Sequence, residues 1–141
     1  MPEFPSTWAG IPEETRNILS AYLVDAKKII GEDVDSIILY GSLARGDFLQ
    51  GRSNINILMI FLNITLDILN RCSKLNRRWA EERILAPLMF TRHELSQFVN
   101  AFPLEFLDIR EKNIVLFGHD PVSYTHLRAH ETLRYLVCRL L

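Results

Sequence analysis

Apolar residues recur at helical spacing through Ile18, Leu19, Tyr22, Leu23, Ala26, Ile29 and Ile30, which predicts an amphipathic helix laid on a larger apolar surface. Pro12, Glu13 and Glu14 open it, with proline in the first turn and acids near the positive dipole end. Lys27, Lys28 and Gly31 close it. The preceding Met1–Gly10, with its Pro and Ser, reads as a loose leader. The period then drops to two. Ile37–Tyr40 is a short run of β-formers stopped by Gly41, and Asn54–Phe61 is a second strand. Alternation places Asn54, Asn56, Leu58 and Ile60 on one face, and Ile55, Ile57, Met59 and Phe61 on the other.

Helical spacing returns between Leu62 and Ile84, where Ile68, Cys72, Leu75 and Trp79 mark one side. Arg71, Lys74, Arg77, Arg78 and Arg83 make this segment basic. A solvated helix face accounts for such a run, and a phosphate or RNA contact is the functional alternative. Leu85–Phe90 reads as a short strand, with Pro87 marking an edge or a strand start. Thr91-Arg-His-Glu94 forms a capping box for a short helix reaching about Val99, with His93 on its surface. Phe102–Ile109 reads as a third main strand and Ile114–Phe117 as a fourth, ended by Gly118. The order α-β-β-α-β-α-β-β makes the expected fold α/β, a small mixed sheet with flanking helices.

The 141 residues suffice for one domain with its own core, and 48% hydrophobic with 23% charged residues is a globular balance. A net charge of −1 gives no bulk attraction for nucleic acid or an anionic membrane. No apolar run is long enough to span a bilayer, and Met1-Pro-Glu-Phe-Pro5 lacks the character of a secretory signal. Cys72 and Cys138 make neither a disulfide framework nor a metal spacing. A cytoplasmic protein is the expectation.

The chemistry concentrates between the first two strands. Gly41 lets backbone approach a phosphate closely, and Ser42 adds a hydroxyl donor. Gly41-Ser42-Leu-Ala-Arg-Gly-Asp47, followed by Ser53-Asn-Ile-Asn-Ile-Leu58, resembles the signature of the DNA polymerase β-type nucleotidyltransferases, in particular small bacterial members. That signature is Gly-Ser, about ten residues, then Asp-x-Asp on the next strand. The resemblance extends through Phe102-Pro-Leu-Glu-Phe-Leu-Asp-Ile109 and Val115-Leu-Phe-Gly-His-Asp-Pro121, so it covers roughly Ile37 to Pro121. It implies transfer of a nucleoside monophosphate from a nucleoside triphosphate to a hydroxyl acceptor, with Mg2+ as cofactor. It also implies that Gly41, Ser42 and Arg45 hold the triphosphate.

The metal half of the signature departs from the family: Asn54 and Asn56 stand where the two aspartates belong. In some branches the second acid is already Asn, so Asn54 is the more telling change. An amide oxygen can ligate Mg2+ but brings no charge, whereas Mg2+ favours hard anionic oxygens. The family also carries a third acid on a later strand. Glu105 and Asp108 are the candidates; on a strand they would face opposite ways, and Glu105, between Leu104 and Phe106, is the preferred one. Two readings follow: a nucleotidyltransferase with impaired transfer, or a non-catalytic nucleotide-binding or protein-interaction module on the same fold. The acceptor is not specified, and a protein partner fits the second reading. A bare tight turn at Gly41-Ser42 is the plainer alternative, which the length of the match disfavours.

Val122–Thr132 resembles something different, a common transposase sequencing adapter translated residue for residue, and Leu136–Leu141 matches the flow-cell end of the same adapter. Residues 122–141 are therefore set apart as non-native, together with His126, His130 and Glu131, which would otherwise pass for a metal cluster. Residues 1–121 form the expected domain, shortened at its C-terminal end relative to the family.

Overall fold

A computed structural model describes residues 6–49 and 52–118, with the Glu105 side chain outside the described atoms. The tail, its histidines and Cys138 lie outside the described residues.

Four strands, β1 (Val34–Tyr40), β2 (Asn56–Phe61), β3 (Leu88–Thr91) and β4 (Asn113–Gly118), form one sheet in the order β3-β2-β1-β4. β1 pairs antiparallel with β2 and β4, and β2 pairs parallel with β3, so the sheet is mixed. The helices are α1 (Glu13–Ile30), the single turn α2 (Ser42–Arg45), α3 (Leu66–Trp79), α4 (Arg92–Ala101) and α5 (Pro103–Glu111). The α/β expectation holds.

Period-two alternation sorts the two central strands as expected. Ile37, Leu39, Ile57, Met59 and Phe61 pack with Leu19, Tyr22, Ala26, Ile68, Cys72 and Leu75 under α1 and α3. Ile38, Leu58 and Ile60 point to the opposite face and pack with Leu95 and Val99 of α4 and Phe106 and Ile109 of α5. A sheet covered on both faces needs apolar residues at every central position, and β1 and β2 supply them. Capping sets the helix ends. Gly31, at φ 75°, donates its N–H to the Lys27 carbonyl and ends α1. Thr65 Oγ1 accepts from Ile68 N at 3.2 Å, so α3 starts at Leu66 rather than Leu62. The N-cap bond of the expected box forms at Thr91: its Oγ1 accepts from Glu94 N and donates to Glu94 Oε1, both at 3.2 Å.

Three expectations are corrected. The segment Phe102–Ile109 is not a strand: α5 occupies Pro103–Glu111. Pro103 has no N–H for a sheet ladder, but at the first helical position none is needed. Phe106 and Ile109, three residues apart, are 0% and 5% exposed, so one helical side is buried. The leader is not loose throughout, because Trp8, in a 3₁₀ turn at Ser6–Trp8, is buried in the core with Ile11. The basic segment is partly structural. Arg71 donates to the Ile30 carbonyl at 2.8 Å, to Asp67 at 2.6 Å and to Asp33 at 3.2 Å, stapling α3 to the end of α1. Asp25, only 9% exposed, accepts from Trp79 Nε1 at 2.8 Å and pairs with Arg78 at 3.0 Å. Arg83 leaves the helix altogether, at φ 63° beyond a 3₁₀ turn at Ala80–Glu82. Among the described residues no helix is long and apolar enough to cross a membrane.

Truncating Phe106 to Ala should cost about 3–5 kcal/mol, the usual range for a fully buried aromatic, as read by urea denaturation; a loss under about 1 kcal/mol would place α5 off the sheet. Cys72 gives a pH test. Burial pushes its thiol up to about 11, against a smaller lowering by Arg71. An unfolded thiol ionises near ~8.5, so the stabilisation from a neutral Cys72 is whole below that pH and is lost as pH rises toward the folded value. Stability at pH 10 should be about 1–2 kcal/mol below that at pH 8, and the loss should shrink in Cys72→Ala. An equal loss in that variant would assign the effect to other groups.

Candidate functional site

β1 runs out at Tyr40 opposite Asn56, the first residue of β2. Between them Gly41 adopts φ 84°, ψ −154°, a backbone region open almost solely to glycine. A Cβ built there would overlap Asn56 Nδ2. The dihedrals require the glycine, and a side chain there would also have to push the Asn56 amide aside. α2 follows at once: Arg45 N donates to Gly41 O at 3.0 Å and Asp47 N to Ser42 O at 2.9 Å, with Gly46 left-handed at the turn's end.

The returning segment is also fixed. Ser53 N donates to Leu49 O at 2.8 Å, and Leu49 N to Ser53 Oγ at 3.0 Å. Ile55 bridges to Ile84, with Ile55 N donating to Arg83 O at 2.8 Å and Leu85 N to Ile55 O at 3.1 Å. Arg83 Nη1 donates to Arg52 O at 3.3 Å. Two short chains of hydrogen bonds therefore hold the residues just before β2.

These segments enclose an open cavity of about 400 Å³. Gly41, Ser42, Arg45, Asn54 and Asn56, expected from sequence as nucleotide-binding and metal positions, all line it. Tyr40, Arg52, Ser53 and Asp108 line it as well. Burial raises the Tyr40 phenol above its usual range, which keeps it a neutral hydroxyl at the cavity wall. Glu105, the expected catalytic acid, belongs to α5 and not to a strand; its side chain lies outside the described residues. On α5, Glu105 and Asp108 lie about one turn apart instead of on opposite faces, so strand alternation does not separate them.

Among the described side chains, Asp108 is the acid that reaches the cavity. Its Oδ2 accepts from Arg45 Nη1 at 2.9 Å, while Arg45 Nε donates to Asp47 at 3.2 Å. One guanidinium thus spans two carboxylates and ties α5 to the turn after β1. Arg52 and Ser53 were legible in principle, since they directly precede Asn54. Asp108 was one of the two candidate acids, placed behind Glu105 on a strand geometry that the helix Pro103–Glu111 replaces.

The donor set does not fit a tightly held Mg2+. Among the described residues it consists of two neutral amides, three hydroxyls and one carboxylate already paired with an arginine, beside two guanidiniums that repel a dication. Among the described residues no group of three or more His, Cys, Asp or Glu side chains is placed to hold a metal.

No family model matches the chain, and no curated protein matches it. Solved structures do. A mutant toxin–antitoxin MntA–HpeT shares 14% identity at a TM-score of 0.54, over 86% of this chain and 90% of that one. A toxin–antitoxin structure with AMP-PNP shares 12% identity at a TM-score of 0.55, over 84% of this chain and 90% of that one. Likeness at this identity concerns the fold, a mixed four-stranded sheet with flanking helices, as expected from the sequence.

Replacing Gly41 by Ala should destabilise the protein by about 2 kcal/mol or more, from the positive φ and the overlap together. In an Asn56→Ala background the same change should cost about 1 kcal/mol less, a coupling that a double-mutant cycle of denaturation midpoints reads directly. Strict additivity would mean that the Gly41–Asn56 contact is not formed.

Proposed function

We propose that the protein is a nucleotide-binding domain of the nucleotidyltransferase fold in which nucleotidyl transfer is impaired. The observation that carries this reading is the convergence of Gly41, Ser42, Arg45 and Arg52 with the Asn54/Asn56 pair on one cavity. The side-chain-free Gly41 permits close approach of a phosphate, the hydroxyls of Ser42 and Ser53 can donate to its oxygens, and the guanidiniums match its charge. AMP-PNP, a nucleoside triphosphate analogue, accompanies one solved structure of the same fold, which supports nucleotide as the ligand class.

The chemical step is where support is lacking. Transfer in the resembled family uses metal ions held by carboxylates to activate the acceptor hydroxyl and stabilise the departing pyrophosphate. One unit charge pair at 4 Å is worth roughly 4 kcal/mol near a protein surface, and both such carboxylates are amides here. A third acid, whether Glu105 or Asp108, cannot replace two. Glu105 remains the residue proposed as acid if any transfer persists.

A second reading is favoured by one observation: the solved neighbours are toxin–antitoxin structures, which supports a protein partner for this chain as well. The two readings are compatible, since a domain that binds nucleotide without using it can still present a surface to a protein.

Calorimetric titration with AMP-PNP should show saturable binding, and α-labelled ATP with Mg2+ should give transfer at least about 10³-fold below that of Asn54→Asp/Asn56→Asp, the factor equivalent to roughly 4 kcal/mol. No AMP-PNP binding would reject the nucleotide reading. Equal transfer by the parent chain and the double variant would reject the impairment.

A further inference from the structure

We infer that the cavity binds the phosphate chain of its nucleotide without a divalent cation, with Arg52 and Arg45 supplying the positive charge. This rests on the nucleotide reading above and adds how the ligand's charge is met.

Among the described residues, the charged groups lining the cavity are two guanidiniums and one carboxylate, Arg45 and Arg52 against Asp108. Carboxylates at positions 54 and 56 would make the same lining net negative. A polyphosphate could then enter only with cations to neutralise the wall. With Asn54 and Asn56 the described lining carries a net positive charge before any ion arrives, so a polyanion is attracted directly. The substitution removes the ligands for a metal and, in the same step, removes the repulsion that made a metal necessary.

The amides also change the hydrogen bonding. A carboxylate is an acceptor and repels phosphate oxygen, whereas an asparagine carries an NH2 with two donors. Asn56 Nδ2 lies beside Gly41 at the mouth of the turn. Together with the Ser42 and Ser53 hydroxyls, the asparagine pair turns a metal-binding wall into a donor wall.

The two arginines differ in how they are held. Arg45 already satisfies Asp108 at 2.9 Å and Asp47 at 3.2 Å, so a phosphate must compete for it. Arg52 is exposed and projects from a backbone whose carbonyl is held by Arg83, and Ile55 N on the Arg83 carbonyl keeps that segment in place. Arg52 is therefore the main electrostatic contact for the ligand, and Arg45 a second contact released from Asp108 on binding.

The test is a calorimetric titration of the full chain with AMP-PNP in EDTA and, separately, in millimolar Mg2+, with thermal denaturation confirming that each variant is folded. The parent chain should bind in EDTA with an affinity within about threefold of that in Mg2+, a difference well under 1.4 kcal/mol. Arg52→Gln, an exposed substitution, should weaken binding about tenfold or more in both buffers, the size expected for losing a charge-assisted contact. Asn54→Asp/Asn56→Asp should bind about tenfold or more weakly in EDTA and recover in Mg2+. Binding by the parent chain only in Mg2+ would overturn the inference while leaving the nucleotide reading intact. Unchanged affinity in Arg52→Gln would overturn the part assigned to that residue. Absence of binding in both buffers would remove the nucleotide reading itself.

Discussion

The constraint on which the candidate site depends is the approach of the Gly41 backbone to the Asn56 amide. It accompanies a position 41 with no side chain and a backbone at φ 84°, ψ −154°, a region open almost solely to glycine. That conformation ends β1 and starts α2 within one residue, so the strand end, the turn and its hydroxyl all face the first residue of β2. Register does the rest. Tyr40 opposite Asn56 fixes which side chains of β2 flank the turn, and a slip of one residue would turn the asparagines away and the core residues outward.

The sheet beneath holds this arrangement still. Its two central strands are buried on both faces, by α1 and α3 on one side and by α4 and α5 on the other. α3 is attached to α1 by polar clamps as well as by packing: Arg71 on the Ile30 carbonyl, and Asp25 shared by Trp79 and Arg78. These bonds explain why part of a basic stretch serves the fold instead of a ligand. On the other face, α5 couples core to site. Phe106 and Ile109 bury one side of it, and Asp108 between them carries the bridge to Arg45.

Charge gives the cavity its character. A site of this architecture with two aspartates would be built around dications. Here the same positions carry amides, the one described carboxylate in the lining is engaged by arginine, and a second arginine stands nearby. On the reading proposed above, such a lining serves recognition of an anion rather than activation of a hydroxyl, because binding needs charge complementarity while transfer needs a Lewis acid held in place.

Much of this was legible in the order of residues alone. Alternation assigned the faces of β1 and β2, Gly31 and the Thr91 cap set helix ends, and Gly41-Ser42 with Asn54 and Asn56 marked residues that the fold gathers on one cavity, because each is a local pattern acting over a few residues. Tertiary structure decided the remainder. Phe102–Ile109 has an apolar content that suits strand or helix, and Pro103 together with burial of Phe106 and Ile109 against α4 and the sheet selected the helix. Only then does Asp108 reach Arg45, 63 residues earlier in the chain. The same holds for Arg71, Trp79 and Trp8, whose partners lie across the fold. Local pattern determines which element forms and which way it faces; which distant side chain it meets depends on packing, and no short-range periodicity encodes that.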